Sequence, residues 1–590
     1  MNPEPAPTRT PRVLDPTIQR SSHAPKNLVG VEDLLRPFNV DSRPESIARR
    51  KELGAYYTDV AVARFLLRWA VTTGKEIVLD PSSGDGIFLS EAAERIRYLG
   101  GDPNRQVFGV EIDLAAHRRF TDRVGGNPSI AKLLHANFFD VVPGQLPAAD
   151  VVVGNPPFIR YQRFSGEVRR TALLRAHDAG VDLSGLASSW APFLVHAVQF
   201  VKPGGWLAMV APAELTHAGY ARPVLDYFRR SFRSTHILSF SRRIFPALSE
   251  DTVLLLAAGR GEPFQTFQLI DLPGLSALEE YADPSAELPD GVEIDASALD
   301  RGRERVLHYL LPHHTRQLFR QLCDSRHVRT LGSLARVGIG YVTGDNAFFH
   351  LSPETIAAYD IPSRFLRPAV CRGSELQGLR FARDDWEGLR LAGHANSLLY
   401  IQETQPLPDS VRAYLLQGIR RGVPDRYKCH VRKSWYAVPH VYRADGFLTY
   451  MSGGDPKLVA NEADAVAPNT LHIVRLASTA RVSILELAAA WQTSLTALSC
   501  EMEGHSLGGG MLKLEPTEAG RVVIAMPDLE PGVLDGLAVD LDALTRIGND
   551  EAARELADDV ILRQGIGLSS TDIERLREGW LLLKERRRNR

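Results

Sequence analysis

Asp150-Val151-Val152-Val153-Gly154-Asn155-Pro156-Pro157-Phe158 is a β-branched run that stops at an amide, two prolines and an aromatic ring. An apolar run without alternation fits a strand buried on both faces of a parallel sheet. Gly154 permits a sharp exit from the strand. Pro156 and Pro157 fix φ and remove two backbone donors. The strand tip is therefore almost wholly acceptor: the Asn155 amide oxygen and the carbonyls of Asn155 and Pro156, with the Phe158 ring alongside. That set suits an amino group on a flat heterocycle, against which the ring can stack. An ordinary strand-to-loop turn holding a buried Asn is the plainer alternative, because Asn-Pro is a turn signal.

Working outward, an amphipathic run from Val60 to Val71 carries Val62, Phe65, Leu66 and Trp69 at helical spacing, with Thr58 or Asp59 placed to cap it. Glu76 to Asp80 then reads as a strand, Pro81 to Gly86 as a glycine-bearing turn, Ile87 to Leu99 as a helix, and Gln106 to Glu111 as a second strand ending on an acid. This βαβ unit belongs to the architecture in which ligands sit at the carboxyl ends of parallel strands. A carboxylate ending the second strand can accept from both hydroxyls of a ribose, so a nucleoside-containing cofactor is implied. No Gly-Lys-Ser/Thr follows the turn, and Asp80 and Asp85 would repel a pyrophosphate. Two acids suit a cationic, phosphate-free cofactor instead, for which S-adenosylmethionine is the natural candidate.

At 590 residues the chain exceeds the roughly 250–300 at which single cores stop growing, so two or three domains are expected. Its four cysteines show neither paired nor metal-ligand spacing, and no metal site is expected. No apolar run approaches the roughly 18 residues that span a bilayer, and the Pro-rich start has no signal core. A cytoplasmic protein without membrane partners is expected. With a formal net charge of −2, any nucleic-acid surface must be a local patch.

With these motifs in hand, the chain resembles the class I S-adenosylmethionine-dependent N6-adenine DNA methyltransferases, in particular the TaqI-like type II (gamma-class) modification methylases. The resemblance is close over residues 50 to 260 and looser to about 530. It implies a doubly wound, mostly parallel α/β sheet followed by an α+β target-recognition domain. Asn155-Pro156-Pro157-Phe158 matches the catalytic tetrapeptide, with Phe158 in place of the more frequent Tyr. Tyr57, Thr58, Asp80, Pro81, Gly84, Gly86, Glu111, Ile112, Asn137 and Phe138 match the cofactor-binding positions, with Asn137 standing where Asp is usual. An amide oxygen there still accepts from an adenine amino group, but without charge assistance. Phe245, before Pro246, matches the loop whose aromatic stacks on the far face of an extruded base; a plain core anchor is an equal alternative. The implied reaction is site-specific adenine-N6 methylation in restriction-modification or similar defence, by flipping of the target base.

Further along, Ser189 to Val201 reads as a helix with Pro192 in its first turn, Lys202 to Gly205 as a turn, and Trp206 to Val210 as the next strand, its tip at Glu214. Thr235 to Phe240 and Thr252 to Ala258 read as a hairpin. Arg229, Arg230, Arg233, Arg242 and Arg243 are either phosphate contacts or, more commonly, a solvated face. The domain reading is a mobile segment over 1–45, a catalytic domain over 46–300, a helical connector over 301–330, a recognition domain over 331–540 and a helical tail over 541–590. Arg426, Lys428, Arg432 and Lys433 form the expected contiguous basic patch, and Lys513 follows a glycine run that lets backbone approach phosphate. Structural roles outrank base readout for His472 and His505. The Lys584 to Arg588 run is read as a solvated end in preference to an accessory DNA contact.

Double-stranded DNA is the expected partner of a monomer, with a separate cognate restriction endonuclease left open. Enzymes that methylate RNA or a protein glutamine share the tetrapeptide, because all such substrates present a conjugated planar nitrogen. A specificity component with a dead methylase core is the rival from another class, and the intact tetrapeptide argues against it. A fused nuclease is not expected in the short stretch ahead of the catalytic domain.

Overall fold

The computed structural model describes residues 58–589 except 124–131, 246–250, 282–287, 296–297, 300–303, 403–404 and 508. The expected N-terminal segment, Tyr57 and Pro246 lie outside the described residues.

The central sheet runs β3 (Lys132–His135), β2 (Val107–Glu111), β1 (Val78–Asp80), β4 (Ala149–Gly154), β5 (Val201–Pro212), β7 (Thr252–Arg260), β6 (Phe232–Phe240), β8 (Thr266–Leu272), β9 (Val292–Glu293). The β3-β2-β1-β4-β5 half is parallel throughout, while β7 runs antiparallel between β5 and β6. Thus the doubly wound, mostly parallel sheet expected from the sequence is present, with the 235–258 hairpin built into it; β8 and β9 continue the sheet beyond that hairpin. Val151, Val152 and Val153 are buried, as a strand with a neighbour on each edge and cover on both faces requires.

Helix α1 (Val60–Ala70) starts at Asp59, whose carboxylate accepts from Ala61 N at 2.8 Å. It packs on α2 (Ile87–Tyr98), which with α3 (Leu114–Arg123) makes the crossovers from β1 to β2 and β2 to β3. Helices α4 (Gly166–Asp178) and α5 (Trp190–Val198) cross from β4 to β5 in the opposite direction along the sheet. Right-handed crossovers in opposite directions place these helix pairs on opposite faces, and the order reverses between β1 and β4. That switch point opens a crevice at the strand tips Asp80 and Gly154.

One expected turn is absent as such. Lys202 to Gly205 is a bulge within β5: Ala149 pairs with Val201, and the next register pair is Val151 with Trp206. The Lys202 ammonium meets the Asp150 carboxylate at 2.8 Å, so the extra residues loop out without ending the strand.

The C-terminal half builds a five-stranded sheet over segments between 335 and 476, and smaller sheets around it. Helices α6 (His313–Cys323), α7 (Ser494–Glu503), α8 (Val533–Arg546), α9 (Asp550–Ala557) and α10 (Ser570–Arg588) surround one apolar core. Leu541, Ile561, Leu576 and Leu583 sit in that core beside Leu331, Leu448 and Leu498.

The basic end of α10 overturns the expectation of a solvated terminus. Arg587 is buried against Glu501 of α7 at 2.7 Å, both side chains 3 % exposed, and also donates to the Gly510 carbonyl. Arg586, buried too, reaches across to the central sheet and grips Asp271 of β8. Burial pushes the Glu501 carboxyl upward, and Arg587 only partly offsets that. A buried pair broken on one side leaves an uncompensated charge. Glu501→Gln should therefore lower stability by about 3 kcal/mol in urea denaturation. Replacing Glu501 and Arg587 together with Met should cost much less.

Candidate functional site

Two strand tips define the site. Asp80 ends β1 fully buried; Oδ1 accepts from Ser82 N at 3.0 Å, and Oδ2 has no hydrogen-bond partner. Burial raises its carboxyl to about 8, with nearby Glu111 adding to the effect. Asn155 ends β4. Its amide Nδ2 donates to Thr58 Oγ1 at 3.2 Å, which fixes the amide, and its Oδ1 is buried with no partner. Ser82 Oγ donates to the Asn155 carbonyl at 3.0 Å and ties the two tips together. A Cβ on Gly154 would sit 2.7 Å from Asp80 Oδ1, so only glycine lets β4 pass this close. Buried polar atoms are nearly always paired. Two orphan acceptors on adjacent tips mark a place prepared for donors and positive charge.

The tetrapeptide is clamped from beneath. Ser189 Oγ, at the start of α5, donates to the Pro157 carbonyl and accepts from Ile159 N at 2.8 Å. Next to it, Trp190 Nε1 donates to Glu214 Oε2 at 3.1 Å, and the Tyr220 hydroxyl donates to the same carboxylate while lying 3.1 Å from the Ser188 hydroxyl, from which it accepts. Neither Ser82, Ser189 nor Tyr220 is legible as a site residue from local pattern.

On the β2 side of the crevice, Glu111 is buried at the strand end, and its oxygens accept from Gly84 N and Asp113 N, both at 2.6 Å. Burial raises its carboxyl. Gly86 has φ 86°, and a Cβ there would lie 2.3 Å from the Phe120 ring. Ile112 presents an exposed apolar side chain beside Glu111. Asn137 caps the turn at 138–140 by accepting from Phe139 N at 3.2 Å. The Phe138 ring points inward against Phe193, His196 and Phe200. His196 Nε2 lies 3.2 Å from the Phe138 carbonyl and 3.0 Å from that of Val141, and burial lowers the imidazole to about 4, so it is neutral at pH 7. Asp85, read from sequence as a second acid facing the cofactor, is ion-paired with Arg119 of α3 at 2.9 Å. Asp80 is the acid of that turn with an unpaired oxygen.

Phe158 and Phe245 are both buried, 5 % and 7 % exposed. Arg243 holds Asp251 at 2.9 Å across the base of the Phe245 loop. Arg229 and Arg230 pair with Asp226, and Arg233 with Glu262; Arg230 and Arg242 are the exposed members of that group. In the expected basic patch, Lys428 and Lys433 are exposed, and Arg426 pairs with Asp345 at 3.0 Å. Arg432 turns inward to the Val342 carbonyl at 2.5 Å. Lys513 is paired with Glu515. His472 is buried on the Leu514 carbonyl at 2.9 Å, and His505 stacks on His217, centroids 6.1 Å apart.

Comparison with known proteins gives this arrangement its class. Residues 45–257 match the family described as N-6 DNA Methylase, and residues 303–562 match the C-terminal domain of Type II methyltransferase M.Eco57I. The chain thus carries an N6-adenine DNA methyltransferase family domain followed by a type II methyltransferase C-terminal domain, and its relatives are type II methyltransferases. Type II methyltransferase M.XamI of Xanthomonas campestris pv. amaranthicola is 23 % identical over 518 residues, covering 82 % of this chain and 86 % of that one. M.AccI of Acinetobacter calcoaceticus is 20 % identical over 510 residues, covering 84 % and 88 %. The fold extends along nearly the whole chain to the type IIL restriction-modification enzyme MmeI, solved in complex with DNA: TM-score 0.53 at 12 % identity, covering 92 % of this chain and 76 % of that one. A methyltransferase of this family uses S-adenosylmethionine. Among the described residues no helix is long and apolar enough to cross a membrane.

Gly154→Ala forces a methyl group onto Asp80 Oδ1 and should abolish S-adenosylmethionine binding in calorimetry, while far-UV circular dichroism stays that of the parent protein.

Proposed function

We propose that the chain methylates adenine N6 at one short site in double-stranded DNA, with Asn155-Pro156-Pro157-Phe158 as the catalytic tip, in a restriction-modification or similar defence system. The observation that carries this reading is the buried, unpartnered Asn155 Oδ1, held in orientation by Thr58. The residues fit the cofactor: Asp80 Oδ2 offers an orphan acceptor for a cationic amino acid part, Glu111 stands at the ribose position, and Ile112 offers an apolar face for the adenine. Asn137 would accept from the adenine amino group, and Phe138, its ring committed to the core, would contribute its backbone N–H.

Adenine N6 lies inside the duplex stack, so the target nucleotide is flipped out, at a cost of a few kcal/mol that backbone contacts offset. Asn155 Oδ1 and the Pro156 carbonyl accept the two N6 hydrogens and draw the nitrogen lone pair out of conjugation. Phe158 and Phe245 supply ring faces for the base. S-adenosylmethionine supplies an electrophilic methyl carbon. The acceptors and ring faces stabilise positive charge as it develops on nitrogen, and the proton then leaves to solvent. Catalysis is chiefly positioning. The catalytic unit over 46–300 and the recognition unit over 331–540, with the helices beyond 541 folded onto it, belong to this proposal. Arg242, Lys428 and Lys433 are the cations it assigns to DNA phosphate.

Long-read sequencing of DNA from a methylation-free host expressing the protein should show N6-methyladenine at one motif, and Asn155→Ala should erase it while retaining the cofactor in calorimetry. Unmodified DNA from the parent protein overturns the reading.

The raised Asp80 carboxyl has a definite sign. Its pKa of about 8 means that the folded, ligand-free protein holds a proton there at neutral pH. A cation binding beside the carboxylate must displace that proton. Cofactor affinity should rise with pH from 6 to 7.5, by up to about tenfold per unit. Asp80→Asn should bind weakly and show no such slope.

A further inference from the structure

The last helix of the C-terminal half ends on the catalytic sheet, at the root of the loop that carries Phe245. Arg586 Nη1 and Nη2 grip the two Asp271 oxygens, each at 2.6 Å, a planar fork on a carboxylate. The same guanidinium donates to Ser239 Oγ at 2.6 Å and to Ser241 Oγ at 3.2 Å. Ser239 lies in β6, and Ser241 is the first residue beyond it; Arg242, Arg243, Ile244 and Phe245 follow directly. Asp271 is the neighbour of Ser239 in the parallel register between β6 and β8. Arg586 therefore holds both strands and the first loop residue at one point. Arg587, its neighbour on α10, is fixed to Glu501 and to the Gly510 carbonyl in the C-terminal half. Two consecutive arginines rivet opposite halves of the molecule, and both are buried.

We propose that Arg586 is a positioning residue for the base-facing loop: seated by the C-terminal half, it sets where Phe245 stands. The inference rests on the reading of Phe245 as a base-stacking residue. Its chemistry favours a positional role, because a guanidinium fork holds a carboxylate and two serine hydroxyls in fixed directions at once, which a lysine point charge cannot do. A pair that only glued the domains would need Asp271 and neither serine.

A double-mutant cycle on the full-length protein separates these roles. The assay is tritium transfer from labelled S-adenosylmethionine to unmodified phage DNA, at saturating DNA. Arg586→Ala and Phe245→Ala should each lower kcat about tenfold or more with cofactor Kd unchanged within about twofold. The double variant should fall no further than about twofold below the worse single variant, since both remove one function. Arg586→Lys should recover thermal stability and not kcat. Should Arg586→Ala fail to fold, Ser241→Ala, which leaves the Asp271 pair intact, replaces it in the cycle. Multiplicative losses, or full kcat in either substitution at the clamp, overturn the proposal. So does full kcat in Phe245→Ala with active parent protein. Only absence of methyl transfer by the parent protein itself removes the underlying methylase reading.

Discussion

The site depends on how closely β4 passes β1. Gly154 brings the two strands together at a distance no side chain allows, and the Ser82 hydroxyl then joins the tips through the Asn155 carbonyl. The parallel register fixes which residues emerge at that level: Asp80 from one strand, Asn155 from the other. Both carry a buried oxygen without a partner. Such atoms cost free energy in the ligand-free protein. The surrounding structure holds them in place through Thr58 on the amide and Ser189 beneath the prolines. Strain of this kind is ordinary where a protein is shaped for a bound molecule and not for its own stability.

A second constraint acts at long range. The catalytic sheet and the C-terminal half are bound through the end of α10, where Arg586 and Arg587 are each committed to a different half. Arg305 adds a further link, pairing with Glu503 at 2.7 Å, and Arg521 holds the same carboxylate at 2.6 Å. His217 beyond β5 stacks on His505 from the other half, and burial together with the facing imidazole lowers it to about 4. These oriented polar groups fix the relative position of the two halves, alongside apolar contact at Leu310, which packs against both cores.

What the sequence revealed follows from the range of each interaction. The Val151 to Val153 run, the turn at 81–86 and the acid ending β2 are local patterns, and the first strands and helices through β4 fall close to where periodicity places them, whereas the helix read to Val201 ends at Val198 because Val201 already pairs in β5. The Asp59 cap and the 235–258 hairpin were legible for the same reason. Features set by partners distant in the chain were not. Asp85 read as a free acid because Arg119 meets it only after α3 folds back. Phe138 lies next to Asn137 in the chain, yet its ring faces away from the crevice because the turn at 138–140 directs it toward Phe193 and Phe200. The arginines at 586 and 587 looked like a charged end, since nothing within α10 indicates that Asp271 and Glu501 wait on other elements. The bulge in β5 was hidden because Lys202-Pro203-Gly204-Gly205 has turn composition, while Asp150 keeps the strand in register.

The two prolines after Asn155 have one more effect. With no backbone N–H at either position and the Asn155 Nδ2 turned to Thr58, the tip presents chiefly oxygens to whatever enters. On the proposed reading, a base carrying a keto oxygen where adenine carries its amino group would set lone pair against lone pair in a dry pocket. Discrimination between amino and keto purines is thereby exercised by missing hydrogens, independently of any groove contact made by the C-terminal half.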